Sequence, residues 1–429
     1  MNIENLYKVF KEHPEVTTDS RNITNGSVYF ALRGEYFNGN DFAKAAIENG
    51  CSYAVVDDNS VTGEKIINVP DSLVALQELA KYHRKQCGAK VFAITGTNGK
   101  TTTKELIASV LSNSKKIIFT QGNLNNHIGV PLTLLKISDE TEIAVIEMGA
   151  NHPGEINFLC EIADPDAGLI TNVGVAHIEG FGSFQGVVNT KTELYRYLHD
   201  RKRPALINAA NQHLMSHSDI ATDLYYAAGK NAIVTGHLSG NDVFISVLWN
   251  DFAGNENKIN TQISGSYNLE NILAAIAVGK YYGISDELIN KSIADYKPAN
   301  KRSQYFHSGK NEIVIDTYNA NPTSMKAAIE NVYRINKKNK ALILGDMFEL
   351  GGDSEAEHKN ILQLITTYGF KTAFLAGNNF NRFASEFPFN FFETTEALVN
   401  YINVNPIEDS FILLKGSRGM KMETVLDSL

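Results

Sequence analysis

The sequence predicts an α/β protein of three units, and three observations carry that expectation. Short apolar runs of strand length alternate with segments whose apolar residues recur at helical spacing. The alternation occurs over 88–298 and again over 299–429, each time in the manner of a mostly parallel sheet covered on both faces. A chain of 429 residues also exceeds one typical domain and implies two or three, each burying its own core.

Residues 1–87 read as a small α/β unit. Strand-like runs at 28–32, 53–56 and 66–69 are separated by helix-like segments, among them 41–49 and 71–84. The segment before them, 2–16, carries Glu4, Lys8, Lys11 and Glu12 and lacks the apolar core of a signal peptide. From 88 onward the strands are near-continuous apolar runs, at 91–94, 143–146, 167–170 and 205–207. Runs at 244–248 and 259–263 alternate like antiparallel strands, and 268–282 reads as a helix stopped by Gly283. Pro298 marks a linker. Beyond it, strands at 313–315, 341–344, 372–375 and 411–414 with helices between them read as a doubly wound, Rossmann-like unit. The expected domains are therefore 1–87, a central phosphate-loop unit at 88–298, and 299–429.

Composition narrows the class. Apolar residues make up 43% of the chain and charged ones 20%, ordinary values for a globular protein. The formal net charge of −9 argues against a nucleic-acid partner, because a phosphate backbone is bound by a basic surface. Cys51, Cys87 and Cys160 lie far apart with no C-x-x-C pair, so neither a disulfide framework nor a zinc ribbon is indicated. No apolar stretch is long enough to span a bilayer. These features predict a soluble, cytoplasmic protein with no membrane insertion.

The most informative run is Ile94-Thr95-Gly96-Thr97-Asn98-Gly99-Lys100-Thr101-Thr102. It lies between the strand-like run at 91–94 and an amphipathic run through Leu106, Ile107, Val110 and Leu111, so its glycines fall at a strand-to-helix turn. Such a turn aims backbone N–H groups and a helix N-terminus at an anion, which predicts a nucleoside triphosphate. Lys100 is placed to reach the β- and γ-phosphates, and the Thr101 hydroxyl to ligate Mg²⁺. The first glycine is Gly96, where the usual phosphate-loop spacing would put one at Ile94. Glu147 follows the strand at 143–146, at the edge where open parallel sheets hold ligands, and is a candidate second ligand to the same Mg²⁺. His177 also lies just past an apolar strand and suits a metal or a phosphate. Lys191, by itself, reads as a solvated helix residue. Asn268 and Asn271 share a face near the start of a helix, and either bond a base edge or, with Ser266, belong to its cap. Polar loops at 316–322, 345–351 and 415–419 each follow an apolar strand and crowd one edge of the last unit.

Together these motifs resemble the Mur ligases, amide-forming enzymes of peptidoglycan synthesis, and within them the branch that adds D-alanyl-D-alanine to UDP-MurNAc-tripeptide. The Thr-Gly-Thr-Asn-Gly-Lys-Thr-Thr loop is common to Mur ligases and folylpolyglutamate synthases. More specific are Asp19-Ser20-Arg21, Phe30-Ala31-Leu32-Arg33-Gly34, Gly122-Asn123-Leu124-Asn125-Asn126 and Glu147-Met148-Gly149-Ala150-Asn151. Tyr318-Asn319-Ala320-Asn321-Pro322, Gly345-Asp346-Met347 and Lys415-Gly416-Ser417-Arg418 complete the pattern, where sister ligases carry a Tyr-Ala-His type of loop in place of Tyr-Asn-Ala-Asn. The chain departs from it at Asn38 and Asn40, and at His127, where an acidic residue is common.

The resemblance implies ATP binding through Gly96, Thr97, Asn98, Gly99, Lys100, Thr101 and Thr102, with Asn268 and Asn271 on the adenine. Arg302 and Asp316 would reach the nucleotide from the last unit. Two Mg²⁺ ions are implied, one on Thr101 and Glu147, the other on His177 and a carbamylated Lys191. Lys100, Glu147, His177 and Lys191 form the implied catalytic set. Ser20 and Arg21 fall to the UDP end, Asn125 and Asn126 to the UDP-linked substrate, and Asn319, Asn321 and Arg418 to the dipeptide. The first unit becomes a UDP-substrate domain, the last one receives the dipeptide, and a monomer is expected. Two alternatives stay open: a sister amide ligase of the MurE or folylpolyglutamate synthase type, and a regulatory NTPase that makes no bond.

Overall fold

Three sheets organise the chain in the computed structural model, which describes residues 2–175, 178–219, 222–227, 229 and 231–429. The first sheet orders Val16–Thr17, Val28–Phe30, Tyr53–Val56 and Ile66–Asn68, all parallel. The helix Ser72–Gln86 follows it. Asp71 caps that helix by accepting the Val74 N–H, and His83, Arg84 and Lys85 fill its last turn, where the helix dipole favours cations. A further helix, Ile3–Glu12, lies in the segment that the sequence left without structure. Its apolar stripe is narrow, and only Leu6 and Phe10 are buried.

The central sheet has nine strands. Its order is Glu256–Asn260, Ile245–Asp251, Val234–Asn241, Leu224–Ala227, Ala205–Asn208, Ala167–Ile170, Lys90–Thr95, Ile143–Glu147 and Ile117–Phe119. The first three strands of that order pair antiparallel, and the remaining neighbours pair parallel. Alternate residues of Lys90–Thr95 serve different cores. Val91 and Ala93 pack with Ile156 and Leu159, while Phe92 and Ile94 pack with the helices Lys100–Ser112 and Asn268–Tyr281. Burial on both faces is why this strand reads as an unbroken apolar run.

The third sheet runs Gln304–His307, Glu312–Asp316, Phe411–Lys415, Lys340–Gly345, Thr372–Ala376 and Asn390–Phe392, antiparallel only at the first pair. Its buried residues form clusters of their own. The first two sheets share a core. Leu6, Phe10, Leu76 and Leu79 share one apolar cluster with Val91, Ala93, Val130 and Leu134. The cause is the helix Ser72–Gln86, which packs on the helices Gly129–Leu134 and Glu155–Ala163 of the central unit. Arg84 on that helix is buried and donates to the carbonyls of Ala89, Ala163 and Asp164 and to Asp166 Oδ2 at 2.8 Å. Among the described residues no helix is long and apolar enough to cross a membrane.

Lys90–Thr95 lies between Ala167–Ile170 and Ile143–Glu147, so the chain leaves the carboxyl ends of these strands in different directions and opens a crevice there. The carboxyl ends of Glu312–Asp316 and Phe411–Lys415 line the same crevice from the third sheet.

Candidate active site

The crevice is a cleft of about 740 Å³, lined by the 97–102 loop, Asn125, Glu147, Asn268, Asn271, Arg302, Asp316 and Lys415 among others. That volume suits a nucleotide with part of a second substrate. The phosphate loop is clamped from two sides. Gly96 sits at φ 143°, and a Cβ there would stand 2.0 Å from Thr171 Oγ1. At Gly99, φ 78°, a Cβ would meet Asn271 Oδ1 at 2.4 Å. Only glycine fits both positions. Thr97 and Asn98 donate their N–H groups to Asn172 O (2.9 Å) and Oδ1 (3.0 Å), and Thr171 Oγ1 donates to Asn98 O at 2.6 Å. The helix Lys100–Ser112 begins at Gly99 with no side-chain cap, which leaves its N-terminus for an anion. Lys100 Nζ folds back onto the carbonyls of Gly96 (2.6 Å) and Thr97 (3.0 Å). Burial, helped by the Arg302 charge and opposed by Glu147, lowers its pKa to about 8.

Thr101 Oγ1 donates to Glu147 Oε1 at 3.2 Å, and Asn125 Nδ2 donates to the same oxygen at 2.8 Å. Glu147 Oε2 is buried without a hydrogen bond, and its nearest cation is Lys104 Nζ at 3.5 Å. A hydroxyl and an under-satisfied carboxylate at the end of a phosphate loop fit a hard divalent cation. Among the described residues no group of three or more His, Cys, Asp or Glu side chains is placed to hold a metal ion. His177 lies outside the described residues.

Lys191 ends the helix Phe184–Lys191 and is buried, contrary to its solvated appearance in the sequence. Nζ donates to Ala150 O at 3.1 Å and stands 5.2 Å from the Phe181 ring centroid. Burial, with Lys100 nearby, lowers its pKa to about 7. Burial thus shifts its amine toward the neutral form.

Asn268 and Asn271 both line the cleft, but their amides are already engaged. Asn271 Nδ2 donates to Asn268 Oδ1 (2.8 Å), Thr103 Oγ1 donates to Asn271 Oδ1 (3.1 Å), and Asn268 Nδ2 donates to Ser264 O (2.7 Å). In this arrangement they tie the helix Asn268–Tyr281 to the phosphate-loop helix. Asn126 also lines the cleft, with Oδ1 accepting from Ile128 N and Gly129 N.

From the third unit, Asp316 Oδ2 receives Lys415 Nζ at 2.5 Å, and Lys415 also donates to Asn319 O. Asn321 reaches across to the phosphate loop, with Nδ2 donating to Asn98 Oδ1 at 2.7 Å. Arg302 lies with its guanidinium carbon 3.6 Å from the Tyr318 ring centroid. Arg418 is exposed and outside the cleft lining. Ser20 and Arg21 also stand apart from it; Arg21 pairs with Asp19 at 2.9 Å and holds that carboxyl at about 2. Three residues the sequence left without a role belong to the site by contact: Lys104, Tyr318 and Lys415.

Comparison with known proteins decides the family. Models of the Mur ligase catalytic, middle and glutamate ligase domains match residues 14–84, 94–279 and 301–418. The UDP-N-acetylmuramoyl-tripeptide--D-alanyl-D-alanine ligase of Bacillus subtilis is 36% identical over 96% of this chain and 92% of its own length. The chain belongs to the Mur ligase family. The corresponding Escherichia coli ligase is 33% identical over 96% of this Mur ligase and 93% of itself. A crystal structure of MurF from Acinetobacter baumannii superposes with a TM-score of 0.89 at 30% identity, covering 100% of this chain and 98% of the other. MurF from Thermotoga maritima, solved in complex with ADP, gives 0.85 at 25% identity, covering 96% of each chain. The fold class read from the sequence, three α/β units with parallel-rich sheets, is that of these ligases.

Proposed function

We propose that this Mur ligase joins D-alanyl-D-alanine to the terminal carboxylate of UDP-MurNAc-tripeptide, converting ATP to ADP and phosphate. The observation that carries the reading is the end-to-end match to ligases named for that reaction. Residues 1–87 take the UDP-linked substrate, 88–298 the nucleotide and 299–429 the dipeptide, and the enzyme works as a cytoplasmic monomer.

A free carboxylate is a poor electrophile for an amine. Transfer of the γ-phosphoryl group to the tripeptide carboxylate forms an acyl phosphate and releases ADP. The dipeptide amine then attacks the acyl carbon, and the tetrahedral intermediate collapses to an amide and inorganic phosphate. Bringing a carboxylate against a triphosphate opposes like charges, so cationic groups must be arranged in advance. Lys100 swings from the loop carbonyls onto the transferring phosphoryl group. Thr101 and Glu147 would hold one Mg²⁺, and His177 with carbamylated Lys191 a second; bound Mg²⁺ supplies the positive charge that this encounter requires. Lys191 suits carbamylation because the reaction with CO₂ needs a neutral amine, which its burial supports. Gly96 to Thr102 wrap the phosphates, Asn268 and Asn271 border the adenine, and Arg302 and Asp316 approach the nucleotide from the third unit. Asn125 and Asn126 face the UDP-linked substrate, with Ser20 and Arg21 toward its UDP end. Asn319 and Arg418 lie on the dipeptide side.

The test is an amine screen with ATP, Mg²⁺ and UDP-MurNAc-tripeptide, read by phosphate release. Release that requires D-Ala-D-Ala and is not supported by lysine, diaminopimelate or glutamate is expected. Release without any amine would indicate a plain NTPase, and release with a single amino acid would indicate a sister ligase.

A further inference from the structure

Two arginines far apart in the chain meet on one aromatic ring. Arg302 precedes the third sheet and Arg418 follows its strand Phe411–Lys415, yet their guanidinium carbons lie 3.6 and 5.4 Å from the Tyr318 ring centroid. The backbone is bent to achieve the closer contact. Lys301 and Ser303, on either side of Arg302, both adopt left-handed conformations, with φ 54° and 49°. Neither is glycine, so both positions are strained, and strain of this kind persists only where surrounding contacts enforce it. Those contacts are present: Thr317 N–H donates to Lys301 O at 3.0 Å, and Tyr267 Oη and Asn268 Nδ2 lie 2.9 and 3.3 Å from Ser303 Oγ.

Arg302 itself is left chemically open. Its Nε is buried in the cleft wall with no hydrogen-bond partner among the described residues. A guanidinium stacked on a ring keeps its in-plane N–H donors free, and those donors match phosphate or carboxylate oxygens. Stacking also fixes the plane of the group in advance, which reduces the ordering cost when an anion binds.

We propose that Tyr318 is a positioning residue that holds Arg302 for the terminal phosphate of the nucleotide and Arg418 for the carboxylate end of the incoming dipeptide, so that one ring aligns both co-substrates. The inference rests on the nucleotide and dipeptide assignments above and adds to them the link between the two arginines. The ring does the work, and the phenolic hydroxyl is incidental to it.

The test compares Y318L, Y318F, R302L and the double variant Y318L/R302L, with KM for ATP and for D-Ala-D-Ala measured separately. Binding of a non-hydrolysable ATP analogue is measured by calorimetry in parallel. Y318L should raise both KM values by between about 2-fold and 30-fold, the span of one cation–aromatic contact, with a smaller change in kcat. Y318F should rescue both. In analogue binding the double variant should be no worse than R302L alone, because Tyr318 acts through Arg302. Unchanged KM values in Y318L, an equal loss in Y318F, or additive losses in the double variant would each overturn the proposal. A rise in the ATP KM alone would overturn the link to Arg418. Failure of the parent protein to form the ligated product would count against the proposed function instead, because the calorimetric comparison stands without turnover.

Discussion

Replacing Asn321 by aspartate separates two bonds that one carboxamide makes. Asn321 Oδ1 accepts the Ser324 N–H at 2.8 Å and caps the helix Pro322–Arg334, while Nδ2 donates to Asn98 Oδ1 in the phosphate loop at 2.7 Å. Aspartate keeps the capping acceptor and suits a helix N-terminus at least as well, so the fold of the third unit should be undisturbed. It loses the donor and sets a carboxylate oxygen against the Asn98 carbonyl oxygen. A neutral hydrogen bond contributes about 1 kcal/mol net, and an acceptor left unpaired adds about 1–2 kcal/mol. N321D should therefore lower kcat/KM for ATP by roughly 30- to 150-fold, with an unchanged melting temperature. N98A should lower it too, and the pair N98A and N321A should show a coupling energy of about 0.5–1.5 kcal/mol in a double-mutant cycle. Steady-state phosphate release at saturating tripeptide and dipeptide gives these numbers. Parental kcat/KM in N321D, or a coupling near zero, would refute the clasp. A rise confined to the dipeptide KM would return Asn321 to the dipeptide-positioning role implied by the family resemblance.

Three further outcomes follow from the same geometry. In G96A the added Cβ would stand 2.0 Å from Thr171 Oγ1 at a backbone angle disfavoured for alanine, so ADP affinity measured by calorimetry should fall more than about 10-fold. Lys191 has a pKa lowered to about 7 by burial, so its neutral fraction rises as pH increases through that value. With ¹³C-labelled bicarbonate, an NMR carbamate signal should therefore grow between about pH 6 and 8, be absent in K191A, and fail to appear anywhere if the assignment is wrong. R84M removes a buried guanidinium that joins the first unit to the central one and leaves Asp166 with the Val91 N–H and, as its cation, only the exposed Lys90. It should destabilise that junction by about 3–5 kcal/mol, read as faster proteolysis between the first two sheets, while rates equal to the parent would show the contact to be dispensable.

How much of this was legible in the sequence depends on burial and on range. Strands covered on both faces, such as Lys90–Thr95 and Ile143–Glu147, are continuous apolar runs and declare themselves. Among those that escaped notice, Ile117–Phe119, Gln304–His307 and Asn390–Phe392 are short, lie at sheet edges and are only partly buried, so they carry weak patterns. Val234–Asn241 contains two glycines and several polar residues and owes its form to pairing with Ile245–Asp251. The phosphate loop was legible because its chemistry is local, with glycines, lysine and threonine in one run. Lys104 and Lys415 were not, because each draws its meaning from a carboxylate far along the chain, Glu147 and Asp316 respectively. Burial reversed the residue-level reading of Lys191, a lysine that looks solvated on its own helix but is enclosed once Ala150 and Phe181 close over it.

The central claim is tested most directly by mass spectrometry of the UDP-linked product after incubation with ATP, Mg²⁺, UDP-MurNAc-tripeptide and D-Ala-D-Ala. The account predicts a product heavier by one dehydrated dipeptide, formed together with ADP and phosphate and only when every component is present. ATP consumption with the tripeptide mass unchanged would contradict it.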